Sequence, residues 1–257
     1  MAIKTKLTID VPSRERLKQT ITLLSQGAAN PKAFPDGQIT VYPWDVQVDD
    51  WLVKSGRNTD SSVFDVIPKL AELNGCDLDD LFVGDASTIL LVSRSLRHGN
   101  KIDFSPVCTN CRKTNNVVTL DVPRQLRKLA EKPKGWGGTD TIVLPSIKDE
   151  IEIRPLRLKD EKAIENMTPE AAAMVPPVTA RMCRAIVSVG GGKPDSVAEI
   201  VSYLRRLDPV DQDYLSEQID ALHPRLDSDV TFVCDYCGKQ FVYTISFDRN
   251  FFRSRVA

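Results

Sequence analysis

Two C-x-x-C pairs, Cys108-Thr-Asn-Cys111 and Cys234-Asp-Tyr-Cys237, constrain this chain more than any other feature. Two residues between cysteines let one tight turn aim both sulfurs at a single ion, and zinc takes four thiolates in a tetrahedron. The opening residues Met1-Ala2-Ile3-Lys4-Thr5-Lys6 lack the apolar core of a signal peptide. The expectation is therefore a reducing cytosol, where paired cysteines bind metal more often than they form disulfides. Cys76 and Cys183 stand apart from the pairs among apolar neighbours and read as buried core thiols.

The two pairs are separated by 122 residues, far more than a compact zinc ribbon contains. An internal repeat resolves that difficulty. Ile39-Thr-Val-Tyr-Pro43 matches Ile151-Glu-Ile-Arg-Pro155, two alternating strands ended by proline and preceded by the turns Phe34-Pro-Asp-Gly37 and Leu144-Pro-Ser146, at an offset of 112. An apolar helix is expected after each, over Val63–Leu73 with Pro68 marking a kink or the true start, and over Ala180–Val189. Gly75 and Gly190-Gly191-Gly192 stop them. Asp85 and Asp211, now 126 apart, are expected to N-cap a second helix that runs to His98 or His223. Strands then enter and leave each cysteine pair, the exits being Val117–Asp121 and Phe241–Phe247. The offset grows by 14 between Gly190 and Leu207, where Val197–Leu204 reads as an added helix.

The expected architecture is thus α+β: a duplicated strand–helix–helix–hairpin unit, its two lobes joined by a four-cysteine, zinc-ribbon-like site. Residues 1–38 form an N-terminal arm with a strand over Thr5–Val11 and a helical stripe Leu17, Ile21, Leu24. The arm either adds to a partner's sheet or folds back on its own lobe. Residues 39–130 are the first repeat lobe, 131–150 a linker and hairpin strand containing Trp136, and 151–257 the second repeat lobe.

Three readings of the cysteines follow. In the first, Cys108, Cys111, Cys234 and Cys237 share one Zn2+. In the second, each pair has its own ion, aided by His98 or His223; against this, both histidines close helices, where a cation suits the dipole. In the third there is no metal. A shared four-thiolate site is closed and therefore structural, since a catalytic zinc keeps a position open.

Other signals are weaker. Gly190-Gly-Gly-Lys193 lacks the phosphate-loop pattern, and Asp77, Asp79 and Asp80 lack calcium-loop spacing and read as a helix start. No acid–base pair or nucleophile with a mechanism emerges, so no enzymatic activity is expected. Arg249-Asn-Phe-Phe-Arg-Ser-Arg255 reads as a packed terminal strand before a partner-docking patch or a nucleic-acid contact. A net charge of −1 gives no general pull toward nucleic acid or anionic lipid, and no apolar run reaches the length of a membrane span.

One set of motifs carries a family resemblance: Ile39-Thr-Val-Tyr-Pro43, Asp80-Leu-Phe-Val-Gly-Asp85 with Leu90-Leu91 and Arg94, the His98-Gly99 turn, Cys108-x-x-Cys111, and Phe251-Phe252. Over roughly residues 35–255 the chain resembles the baseplate protein family of T-even-type contractile-tailed bacteriophages. The resemblance implies a virion or assembly role without enzymatic activity, and the first expectation is a structural component of the virion tail baseplate, built in the host cytoplasm; the duplication, which gives two similar surfaces, suits a subunit that connects neighbouring tail and baseplate proteins in a multi-subunit ring. Two alternatives stand beside it: an assembly factor or chaperone absent from the mature virion, and a zinc-ribbon nucleic-acid-binding protein, which the near-neutral charge disfavours.

Overall fold

A computed structural model describes residues 17–55, 63–121, 138–224 and 229–244. They form mixed helices and small antiparallel sheets, an α+β arrangement, with the four paired cysteines close together. The expected strand at Thr5–Val11, Trp136 and Arg249–Arg255 lie outside the described residues.

The first lobe opens with a hairpin of β1 (Gln19–Thr22) and β2 (Gln38–Val41), Ile21 facing Ile39. The helical stripe expected through Leu17, Ile21 and Leu24 is therefore wrong: Ile21 lies in a strand, Leu17 in a bend before it and Leu24 in the turn after it. Pairing with β2 satisfies the Ile21 backbone in a way an isolated turn of helix could not. Residues 19–38 belong to this lobe, with Leu23 and Phe34 in its core. The hairpin connection closes tightly at Gly27, where an added Cβ would stand 2.3 Å from the Phe34 carbonyl oxygen, at a φ of +85°.

Next come α1 (Val46–Ser55), a 3-10 turn (Val63–Val66), α2 (Ile67–Leu70, with Pro68 in its first turn), a second 3-10 turn (Leu78–Asp80) and α3 (Val83–His98). Helix α3 is buried continuously from Gly84 to Ser95, which its small and hydroxyl residues allow. Thr88 and Ser95 donate their hydroxyls to the helix's own carbonyls, so burial leaves them satisfied. The motif residues Leu81, Phe82, Asp85, Leu90, Leu91 and Arg94 are all buried here. Asp77 caps the second 3-10 turn through the Asp79 N–H, the helix-start role expected of that acidic cluster.

The second lobe holds a three-stranded antiparallel sheet in the order β5 (Asp140–Val143), β6 (Glu150–Ile153), β7 (Ile186–Val189). Its helices are α4 (Leu158–Glu165), α5 (Pro169–Met174), α6 (Pro177–Ala185), α7 (Val197–Leu204) and α8 (Pro209–Leu222). The helix expected over Ala180–Val189 stops at Ala185. The β-branched residues Ile186, Val187 and Val189 continue as β7, which completes the sheet against β6. The added helix expected at Val197–Leu204 is α7.

Asp85 and Asp211 are not N-caps. Phe82 and Asp208 occupy those positions, and each aspartate sits three residues later. Both carboxylates are fully buried and reach across to the hairpin turn of their own lobe. Asp85 accepts the Ser25 N–H at 3.0 Å and its hydroxyl at 2.5 Å. Asp211 accepts the Ser146 N–H at 2.8 Å and the Ile147 N–H at 3.3 Å.

The lobes also meet directly, away from the cysteines. The Leu158 N–H donates to the Leu81 carbonyl at 2.8 Å, Arg157 bridges Phe82, and the Leu158 side chain is buried in the first lobe's core. Around it Lys159 pairs with Asp80 at 2.8 Å, and Lys162 with Asp65 at 2.8 Å and Asp79 at 2.7 Å. The sequence reading joined the lobes through the cysteine site and did not foresee this second contact, an apolar peg ringed by ion pairs.

No helix among the described residues is long and apolar enough to cross a membrane.

Candidate metal centre

Each cysteine pair sits at the tip of a hairpin. One is built from β3 (Lys101–Phe104) and β4 (Val118–Asp121), the other from β8 (Asp229–Val233) and β9 (Gln240–Thr244). The two tips have the same backbone. The Cys108 N–H donates to Lys113 O and the Arg112 N–H to Cys108 O; the Cys234 N–H donates to Lys239 O and the Gly238 N–H to Cys234 O. The turn needs a left-handed residue after its second cysteine. Gly238 takes φ +66°, and Arg112 adopts φ +59° in the same place without a glycine's freedom.

The tips face each other. All four Sγ atoms lie within 4.8 Å of one another, with Cys111 to Cys234 at 3.6 Å and Cys108 to Cys237 at 3.9 Å. A tetrahedron with zinc–sulfur bonds of about 2.3 Å has edges of about 3.8 Å, which these two distances bracket. Both far exceed the roughly 2.05 Å of a disulfide. Exchanging the two hairpins turns one close pair into the other, so the cluster has local two-fold symmetry.

Backbone N–H groups aim at the sulfurs. Hydrogen bonds from the Cys111 and Asn110 N–H groups hold the Cys108 thiol below its ordinary range. At Cys234 burial works upward, but the Tyr236 and Cys237 N–H groups outweigh it and the thiol is lowered. The Lys239 N–H lowers Cys237. For Cys111 the Lys113 N–H pulls down, yet burial and the three neighbouring sulfurs push the thiol up to about 11. Four sulfurs this close cannot all ionise without a cation among them, and the donor set is what a thiophilic dication requires.

The surroundings were not legible in the sequence. Asn115 is buried, donates its amide to Pro106 O at 3.1 Å and accepts the Asp235 N–H at 2.8 Å; Asp235 accepts the Asn116 N–H at 3.0 Å. Asn110 donates to the Cys237 sulfur at 3.6 Å and accepts from Lys239 at 3.2 Å. Phe104 stacks on Tyr243 and meets Phe232 edge-on, closing the base. Only the turn chemistry of the asparagines hinted at any of this.

The histidines are elsewhere. His223 accepts the Leu156 N–H on Nε2 at 2.8 Å and donates from Nδ1 to Ile219 O at 2.7 Å, so both ring nitrogens are engaged. His98 is exposed at the end of α3 and is not in the cluster. Cys76 and Cys183 are buried in the two lobe cores, where burial raises both thiols. Gly190 and Gly191 take positive φ in the turn that closes after β7.

No family model, curated protein or solved structure matches the chain.

Proposed function

We propose that this chain is an architectural subunit in which Cys108, Cys111, Cys234 and Cys237 hold one structural Zn2+ between two copies of a duplicated unit. The carrying observation is the sulfur cluster, all four atoms within 4.8 Å of one another and two of the distances close to a tetrahedral edge, with matched N–H donors from both hairpins. Four protein ligands fill the coordination shell, which suits a structural ion and leaves no position for substrate or water.

The duplication is supported bond by bond. Residues 38–41 and 150–153 are the inner hairpin strands, and the following Tyr42 and Arg154 N–H groups each donate to the last residue of a helix, Leu70 or Ala185. At the second offset, 83 and 209 begin the long helices and their third residues are the two buried aspartates. The knuckles correspond at the same spacing. Helix α7 accounts for most of the added length in the second copy.

The place we propose for this subunit is the baseplate of a contractile phage tail, connecting neighbouring subunits, with zinc as a rigid fastener. The short motifs of the sequence support that setting, and a metal-fastened, duplicated protein of near-zero net charge suits a connecting part. Metal analysis of the purified protein should give about one zinc per chain. Cys108→Ser and Cys237→Ser should each abolish it, and the double variant should lose no more stability than either single. Additive losses, or two ions per chain, would refute the shared site. Mass spectrometry of purified tails tests the setting: presence supports a baseplate subunit, and presence only in infected cells supports an assembly factor.

A further inference from the structure

The contact between the lobes is head-to-tail. The start of α4 in the second copy (the plug) enters a socket made by the 3-10 turn and α3 start of the first. If the copies are equivalent, each chain carries one more plug and one more socket, and their positions follow from the bonding pattern.

The remaining plug is the start of α1. Asp45 and Val46 stand 112 residues before Arg157 and Leu158, and Val46 and Leu158 are both the first residue of their helices. Leu158 is fully buried; Val46 is 62% exposed. The remaining socket is the turn Leu204–Leu207 with the start of α8. In the first copy the Asp80 N–H donates to Asp77 O and the Leu81 N–H to Leu78 O. At an offset of 126 the Arg206 N–H donates to Tyr203 O and the Leu207 N–H to Leu204 O. The hydrogen-bonded turn of the socket is reproduced, although Leu207 O, the counterpart of the Leu81 carbonyl, already accepts the Gln212 amide at 3.1 Å, so docking here would run through side chains; beside the turn Val210 is 62% exposed.

The charges decide the occupant. In the contact already made, the plug is basic (Arg157, Lys159, Lys162) and the socket acidic (Asp65, Asp79, Asp80). In the second pair two of the three charges on each side are inverted. Arg157 and Lys162 correspond to Asp45 and Asp50, while Asp79 and Asp80 correspond to Arg205 and Arg206; Lys159 corresponds to the neutral Gln47, and Asp65 has no charged counterpart. Asp50, Arg205 and Arg206 are exposed. An acidic plug bearing an exposed valine therefore matches a basic socket bearing an exposed valine, and each would clash with its counterpart in the contact already made.

We propose that the α1 start of one chain docks onto the Leu204–Leu207 turn of a second copy, in a head-to-tail contact between chains. Such a contact is heterologous, so it closes into a ring or extends as a filament. The inference rests on the duplication, and it specifies which faces the subunit uses.

The test is sedimentation velocity of the full zinc-loaded chain over a concentration series at low and high salt. Wild type should form species that grow beyond two copies at low salt and shrink at high salt, because exposed pairs are screened. Asp50→Lys and the double Arg205→Glu/Arg206→Glu should each weaken self-association by about tenfold or more. Mixing the two variants should restore it, since each then meets a partner of opposite sign. Circular dichroism melts confirm that both variants fold; because Arg205 also donates to Met174 O, Arg206→Glu alone is the second acidic variant. A chain monomeric throughout, assembly that stops at two copies, or variants that associate like wild type would overturn the proposal. Zinc content is measured on the same samples: four-cysteine loading in a monomeric chain removes this contact and leaves the shared metal site standing.

Discussion

Asp85 offers a sharp test of how the first lobe is held together. Its carboxylate is fully buried, accepts from Ser25 N–H, Ser25 hydroxyl and Leu24 N–H, and fixes the β1–β2 connection to the start of α3. Burial nevertheless dominates and raises its pKa from 3.8 to about 6. The folded protein thus binds this proton more tightly than the unfolded chain does. Stability from this group is complete below the unfolded value and is lost as pH rises through the folded one. For this fully buried group the rise from 3.8 to about 6 amounts to about 3 kcal/mol. The side chain introduced by Asp85→Asn is close in shape to the protonated acid and carries no proton to titrate. Other carboxylates work in the opposite direction: Asp160 is lowered by Arg154 and the Arg157 N–H against its burial, so it favours folding at higher pH. Only the difference between Asp85→Asn and wild type isolates Asp85. Measured by urea unfolding, that difference should move in favour of the variant by about 1 kcal/mol between about pH 5 and about pH 7.5. A difference independent of pH would show that the hydrogen bonds offset burial completely, and the reasoning would fail.

Leu158→Ala should destabilise the protein by about 2–5 kcal/mol, seen as an earlier unfolding transition of the first lobe although the residue lies in the second half of the sequence. If only the second lobe responds, Leu158 is not the peg described above. Arg112→Gly should raise the melting temperature through a gain of up to about 1 kcal/mol, because the left-handed backbone there costs an arginine more than a glycine. Zinc content should be unchanged by that substitution, and a loss of metal would mean that the Arg112 side chain serves the site.

The local chemistry of this protein is written in its sequence. Two C-x-x-C turns between β-forming segments specify two knuckles, since a cysteine pair in a tight turn has few ways to point. Alternating Ile39–Val41 and Ile151–Ile153 specify inner strands, and Asp77 before two more acids specifies a cap. What came out differently depended on partners distant in the chain. Ile21 joined a strand because β2 offered it a ladder, and Ile186–Val189 left the helix because β6 offered the same. Asp85 and Asp211 gave up the capping role because buried turn N–H groups lay within reach. Whether two knuckles so far apart in sequence share an ion is a question of through-space distance, and no periodicity encodes it. The Leu158 peg was equally invisible, because a leucine at a helix start looks the same whether it fills its own lobe or its neighbour's. Sequence sets what each segment prefers; the packing of remote segments sets which preference is satisfied, because burial, pairing and charge are settled only between surfaces that have met.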